Sequence, residues 1–473
     1  MRRLFESIWQ GQRKFFVWFD QGLPAVPDSA QSPLNAKTRR LMLAVCFLAL
    51  ILGSLVPLSS VLIDQYQPNG PQNFEDHFAQ INTDQSAYID LITHFPYWFQ
   101  RDVTRINRPL YPAFSSLLCR GFKGVSDLFA KETKPYDPTQ DPYHLWGPPQ
   151  CSRLQARAAA VVLNTLVLLF GVFVGFFLLR RWGFSQLTSF IAVSLLALSG
   201  YSAFLLFDVA TNYNAIFTDL TLLSILTLFL SRRLALWKIL GIGLGIGTLM
   251  LMKTQYDMLA FFWVVLLLKR RFRELLGTLA VHIIPLSLYK LWLSLYGIAY
   301  YNYDTQSYNF GTWLLNDFLQ QPFTSQLGEL LQYWVPYLNA LQGAFGWPTL
   351  TFASFGVFVC VRRGYSKTLL WASMGILANY AFSFAAIKRA LPYLMFNTFY
   401  VVFPLAALGI STVLAWGNFK RVQALVLALL VLTCSVFNTD SFMPPKFHFS
   451  LDELKVSFRQ AGDYFSEGTV KGR

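Results

Sequence analysis

Long apolar runs separated by short basic stretches dominate the chain. Residues 41–63, LMLAVCFLALILGSLVPLSSVLI, carry no charge and exceed the roughly 20 helical residues that cross a hydrocarbon core. Comparable runs recur at 156–179, 184–206, 212–230, 236–252, 255–268, 274–297, 347–361, 368–387, 391–415 and 422–437. Their lengths suit helices rather than barrel strands, because a helix satisfies its own backbone in lipid. The pattern predicts an all-α polytopic membrane protein with about 11 transmembrane helices. The runs at 255–268 and 347–361 are short, which predicts tilted, broken or protein-buried segments.

The polar intervals set an orientation. Seven Lys and Arg residues precede the first run, and basic groups recur at Arg180–Arg181, Arg232–Lys238, Lys269–Arg273, Arg362–Lys367 and Lys420–Arg421. The alternate connections are poor in them: 207–211 has none, and 388–390 offers Lys388 and Arg389. Positive charge gathers on the cytoplasmic side. The N-terminus is therefore expected in the cytoplasm, with two long outer loops at about 64–153 and 298–346. On this reading residues 1–40 form a basic cytoplasmic segment, 41–437 the membrane domain and 438–473 a tail. Within the first segment, Leu4, Ile8, Phe15 and Phe19 can share one helical face, as in an interfacial helix; a frayed basic tail is the alternative. No cleavable signal peptide is evident before the first run. In the first outer loop, 84–100 and 109–130 mix apolar and polar positions at helical spacing. They are expected to be membrane-surface helices.

Composition sharpens this picture. Only 14% of the 473 residues are charged, against about 25% in a soluble domain. The net charge of +14 would suit nucleic acid, but the cations sit between apolar runs and read as topology signals; no nucleic-acid partner is expected. Of five cysteines, Cys46, Cys360 and Cys434 lie in apolar runs. Cys119 and Cys151 share the first outer loop, where a disulfide is open if that side is oxidising.

Candidate chemistry concentrates in the same loop. Thr83-Asp84-Gln85-Ser86-Ala87-Tyr88-Ile89-Asp90 precedes Arg105-Ile106-Asn107-Arg108-Pro109-Leu110-Tyr111-Pro112. Transfer of a sugar from a prenyl phosphate needs a base for the acceptor hydroxyl and cations for the departing phosphate. Asp84 or Asp90 can supply the first, and Arg105 and Arg108 the second, since arginine binds phosphate in a bidentate manner. Asp84 and Tyr88 are four apart and share a helical face. Asp208 lies in a short outer connection, and Asp219 sits inside an apolar run, where an ionisable residue is costly and a functional candidate. Lys253, Lys388 and Arg389 fall at the outer boundary, suited to lipid phosphate or to snorkelling. The plainer readings are a solvated or capping carboxylate for Asp84, headgroup contacts for the arginines and an interhelical hydrogen bond for Asp219. His282 and Lys290 are weaker candidates in the run at 274–297. Aromatic clusters at 300–304 and 332–337 suit either sugar stacking or the membrane interface. No P-loop, HExxH, GxSxG or zinc spacing occurs.

A first span followed by Asp-x-x-x-Tyr and Arg-Pro-Leu-Tyr-Pro resembles the GT-C superfamily of polyprenyl-phosphate-dependent glycosyltransferases, mannosyltransferases among them. Thr211–Asp219, Gly245–Lys253 and Lys388–Tyr393 extend the resemblance. It implies a GT-C-like helical bundle and an inverting transfer at the non-cytoplasmic face. The donor would be a polyprenyl-phosphate sugar, with the membrane and a glycan, lipid or protein acceptor as partners. The resemblance maps a catalytic acidic residue, acting as general base, onto Asp84, with Asp208 assisting. Tyr88, Arg105, Arg108, Asp219, Lys253, Lys388 and Arg389 would bind substrate. The loop holds Asp84-Gln85 where some members have adjacent Asp-Glu, which leaves a divalent metal open; no other cofactor is implied. A transporter or flippase for an anionic or lipid-linked substrate, and a non-catalytic membrane scaffold, are the rival readings.

Overall fold

A computed structural model describes Arg40, Ala44 and residues 84–95, 108–129, 149–198, 214–252, 256–298, 314–387 and 395–416. Every regular element among them is helical. Two helices come from the first long loop: α1, Asp84–Thr93, and α2, Leu110–Phe129. The others follow the apolar runs: α3 Arg153–Arg181, α4 Gln186–Leu198, α5 Asn214–Ser231, α6 Leu236–Met250, α7 Tyr256–Leu268, α8 Phe272–Leu295, α9 Phe323–Arg363, α10 Ser366–Ile387 and α11 Phe399–Trp416. Five of these, α3, α5, α8, α9 and α10, are long and apolar enough to cross a membrane. Four more, α4, α6, α7 and α11, are shorter and apolar. The chain is thus a helical protein built for a membrane. The expected runs at 41–63 and 422–437 lie outside the described residues, apart from Ala44.

The helices begin and end where the basic pairs stand. α3 closes on Arg180 and Arg181, and the Arg180 side chain donates to the Phe184 carbonyl at 2.7 Å. Arg181 reaches Ser231, at the end of α5, at 3.2 Å. α9 stops at Arg363, with Gly364 in the left-handed conformation (φ 68°) that a helix C-terminus favours.

Packing between helices relies on close backbone approach. α6 and α8 run parallel: Ile239 lies against Gly277, Gly243 against Thr278 and Gly247 against His282. The Gly243-x-x-x-Gly247 spacing puts both glycines on one face, the small-residue pattern of membrane helix pairs. α9 and α11 make the most extensive contact among the described helices. They pair antiparallel, with Phe352 at Gly409 and Gly356 at Leu405. The alternation of basic connections would run the spans at 347–361 and 391–415 in one direction, so here the fold departs from that expectation. A sharp break at Gly346 (φ 73°, ψ 156°), a conformation that only glycine adopts readily, divides α9 in two, and both contacts with α11 lie in its second half.

Residues 323–345, read from sequence as part of the second outer loop, form the first half of α9. Phe323, Leu327, Leu331, Val335 and Leu338 make an exposed apolar stripe at helical spacing. The opposite face buries Tyr333 and Tyr337 against α10. The Tyr337 hydroxyl donates to Asn379 Oδ1 at 3.1 Å, and the Trp334 and Tyr380 rings stack at 4.3 Å. The 332–337 aromatics are therefore used in helix packing.

The glycine run in α6 offers an internal comparison. A Cβ at Gly247 would overlap the His282 carbonyl, whereas Gly245 has nothing within 4 Å. Gly247→Ala should destabilise by about 1–3 kcal/mol through overpacking. Gly245→Ala should be neutral or slightly stabilising, since alanine has the better helix propensity by about 1 kcal/mol. Thermal unfolding of both variants in the same detergent checks this; equal midpoints would contradict the packing.

Candidate functional site

The first-loop helices form a second, smaller core with the start of α3 and the end of α8. Tyr88, Ile89, Leu91 and Ile92 of α1 pack with Tyr111 and Cys119 of α2, with Ala156 of α3 and with Leu293. Every described side chain of α1 from Tyr88 to Thr93 is buried. The expectation of a surface helix is corrected here: α1 is enclosed. Its low amphipathicity explains why periodicity did not reveal this. α2 does show two faces, with Phe114 and Leu117 exposed and Tyr111, Ser115 and Cys119 inside.

Several ties hold this assembly. Cys119 and Cys151 form a disulfide, their Cα atoms 6.1 Å apart, joining α2 to the residue before the α3 cap. Ser152 caps α3: its Oγ accepts from the Gln155 N–H at 3.2 Å, and its own N–H donates to Gln155 Oε1 at 2.9 Å. The Gln150 N–H donates to the Thr93 carbonyl at 2.7 Å, which fastens the end of α1 beside the cap. Arg120 donates to the Phe95 carbonyl at 2.5 Å, with its guanidinium 5.5 Å from the Phe95 ring centre.

Of the expected site residues, the fold sets Tyr88 against the segment that carries Arg108. Asp84 is the first residue of α1, and Tyr88, one turn on, is fully buried with its ring edge-to-face against Tyr111, centroids 5.6 Å apart. Tyr111 belongs to the Arg-Pro-Leu-Tyr-Pro segment, so the two loop motifs touch. Arg108 is partly buried at the head of that segment. The next tie reaches the bundle: the Leu110 N–H donates to the Leu251 carbonyl at 3.4 Å. Leu251 follows α6 and stands two residues before Lys253. Arg105, Asp208, Lys253, Lys388 and Arg389, and the side chain of Asp84, lie outside the described residues.

Three carboxylates are interior among the described residues: Asp90 and Asp219, 3% and 0% exposed, and Glu274, which pairs with Arg271. Around Asp90, the carbonyl of the same residue contacts His94 Nδ1 at 3.1 Å, and Thr93 donates to the Ile89 carbonyl at 2.5 Å. Asp219 shares α5 with Asn214 and Thr218, both fully buried, whose side-chain polar atoms have no hydrogen-bond partner. The start of α5 opens the Thr211–Asp219 stretch, which pointed to this region. Asn397, 4% exposed with its Oδ1 also unpartnered, was not anticipated. It lies in the short 3-10 turn Phe396–Thr398, which packs on α5, and a lone asparagine amid aromatic and aliphatic residues carries no sequence signal. His282 Nδ1, when protonated, donates to the Leu279 carbonyl at 2.9 Å, and the ring packs edge-on to Trp263, a helix-packing role. Among the described residues no three His, Cys, Asp or Glu side chains cluster as a metal site requires.

No protein-family model matches the chain, and no curated protein or solved structure shows significant similarity to it.

The disulfide gives a direct check. Alkylation without reductant, followed by peptide mapping, should leave Cys119 and Cys151 linked. Replacing both by serine should lower stability by about 2–4 kcal/mol; free thiols at both positions in protein isolated without reductant would contradict the pairing.

Proposed function

We propose that the chain is a membrane glycosyltransferase that moves a sugar from a polyprenyl phosphate to an acceptor hydroxyl at the non-cytoplasmic face. The observation that carries this reading is the convergence of three separate segments. The Asp84–Tyr88 turn meets the Arg108–Pro112 segment through the Tyr88–Tyr111 ring contact. That segment is bonded to the end of α6, beside Lys253, through Leu110 and Leu251. These contacts tie α1, the Arg108–Pro112 segment and the end of α6 together, the three segments whose residues this reading uses. The disulfide supports the assignment of sides, since such bonds persist in oxidising compartments.

In the proposed reaction the Asp84 carboxylate takes the proton of the acceptor hydroxyl. The resulting oxygen attacks the anomeric carbon from the side opposite the phosphate. The bond from that carbon to the phosphate oxygen breaks, the phosphate leaves with the electron pair, and the configuration inverts. Arg108 and Lys253, with Arg105, Lys388 and Arg389, would neutralise the departing charge. Asp208 would orient the acceptor, and Asp219 would contribute to a polar wall.

Asp84→Asn should reduce transfer of labelled sugar from a polyprenyl-phosphate donor by about 10²–10⁴-fold with the unfolding midpoint unchanged. Asp90 differs, being buried within the small core; Asp90→Asn should alter the midpoint and activity together. Near-normal turnover in Asp84→Asn with a dead Asp208→Asn would move the base to Asp208. Intact donor crossing the bilayer without bond cleavage in the unaltered protein would favour transport instead.

A further inference from the structure

At the opposite end of α5 from the buried amides, the turn into α6 encloses an open cavity of about 590 Å³ lined by Leu228, Arg232, Arg233, Trp237, Lys238 and Ile242 among others. Arg232 and Arg233 follow the last turn of α5, and Lys238 lies in the first turn of α6. All three cations are exposed. Lys238 has its ammonium 5.2 Å from the Trp237 ring centre.

A third helix end fixes the frame. Arg271, just before α8, donates to the carbonyls of Phe229 and Arg232, the second at 2.8 Å. It also pairs with Glu274 at 2.8 Å. The carboxylate nearest this junction is thus committed to Arg271. Among the described residues no ion pair neutralises Arg232, Arg233 or Lys238.

The rim is apolar and uncovered. Trp237 is 71% exposed, and Leu236 and Leu276 stand out beside it, brought together where Leu236 meets Gly277. Tryptophan beside basic residues at the end of an apolar helix is an arrangement suited to the headgroup layer. Three exposed cations in a concave site, with no ion pair among the described residues, suit an anion, and the flanking apolar side chains suit one attached to acyl chains.

We propose that this cavity binds the phosphate headgroup of an anionic phospholipid, with Arg232, Arg233 and Lys238 on the phosphate and Trp237 and Leu236 against the glycerol and upper acyl chain. The site is separate from the proposed transfer chemistry and stands whether or not that reading holds. It fits the cytoplasmic side expected for this connection, where anionic lipid is enriched.

Native mass spectrometry of the full chain, released from zwitterionic detergent and titrated with dioleoylphosphatidylglycerol, tests the proposal. One saturable lipid adduct is expected, and dioleoylphosphatidylcholine should not compete for it. The triple variant Arg232→Gln, Arg233→Gln, Lys238→Gln should bind on the order of 10- to 100-fold more weakly. Arg362→Gln with Arg363→Gln, a basic pair elsewhere, should leave binding unchanged. Trp237→Ala, which keeps the charges, should weaken binding by a smaller factor and guards against misfolding of the triple variant. Equal binding by the triple variant, equal loss in the Arg362/Arg363 control, or displacement of the lipid by submillimolar inorganic phosphate would overturn the proposal.

Discussion

Lipid removes the force that holds soluble helices together, because an acyl chain is as apolar as leucine. What remains is close van der Waals contact and a few hydrogen bonds, and both require backbones to approach. In this chain the approach is made at glycine. Gly247 meets the His282 carbonyl, Gly409 that of Phe352 and Gly356 that of Leu405. Each contact excludes even a methyl group. The α6–α8 and α9–α11 pairs built this way are the largest helix contacts among the described residues. The positions of the remaining helices, and of the polar residues they carry, depend on those two pairs.

The first-loop assembly is held by different means. α1 has ten residues, too short to be stable alone in water. It is enclosed by α2, α3 and the end of α8, and the Cys119–Cys151 bridge, the Ser152 cap and the Gln150 bond to Thr93 fasten its surroundings. A site built there is positioned by covalent and hydrogen-bonded ties, with the Leu110–Leu251 bond linking it to the glycine-packed bundle. In this assembly apolar burial and polar contacts both contribute.

Much of the helical layout was legible because it rests on a strong signal. Apolar runs bounded by Arg pairs fix α3 and the end of α9 to within a few residues. The two helices of the first loop were also legible, near 84–100 and 109–130. Less legible was the environment of α1, whose described side chains are all buried and so leave no amphipathic stripe to detect. The first half of α9 was hidden because Tyr, Trp and Gln dilute its hydropathy although it holds a single charge, Glu329. The cysteine pairing depends on a separation of 6.1 Å that no sequence spacing encodes. For the candidate site, the contact of the two loop motifs followed from neither motif alone. The basic turn at 232–238 was read only as a topology signal, because the bonds from Arg271 to the Phe229 and Arg232 carbonyls, which set that turn against α8, are tertiary.

The placement of charge along α5 separates what helix electrostatics explains from what it does not. The helix spans Asn214–Ser231, about 27 Å at 1.5 Å per residue. Its C-terminal carbonyls carry partial negative charge, and Arg271 binds the Phe229 carbonyl while Arg232 and Arg233 follow directly. The basic end therefore follows from the macrodipole. Asp219 does not. It lies beyond the first turn, where the dipole has faded, and it is fully buried. An interior carboxylate costs several kcal/mol in desolvation, and the unpartnered Asn214 and Thr218 add about 1–3 kcal/mol each. Apolar residues of similar size would pack the same space at lower cost. Helix electrostatics therefore accounts for the basic end of α5 and not for its polar interior.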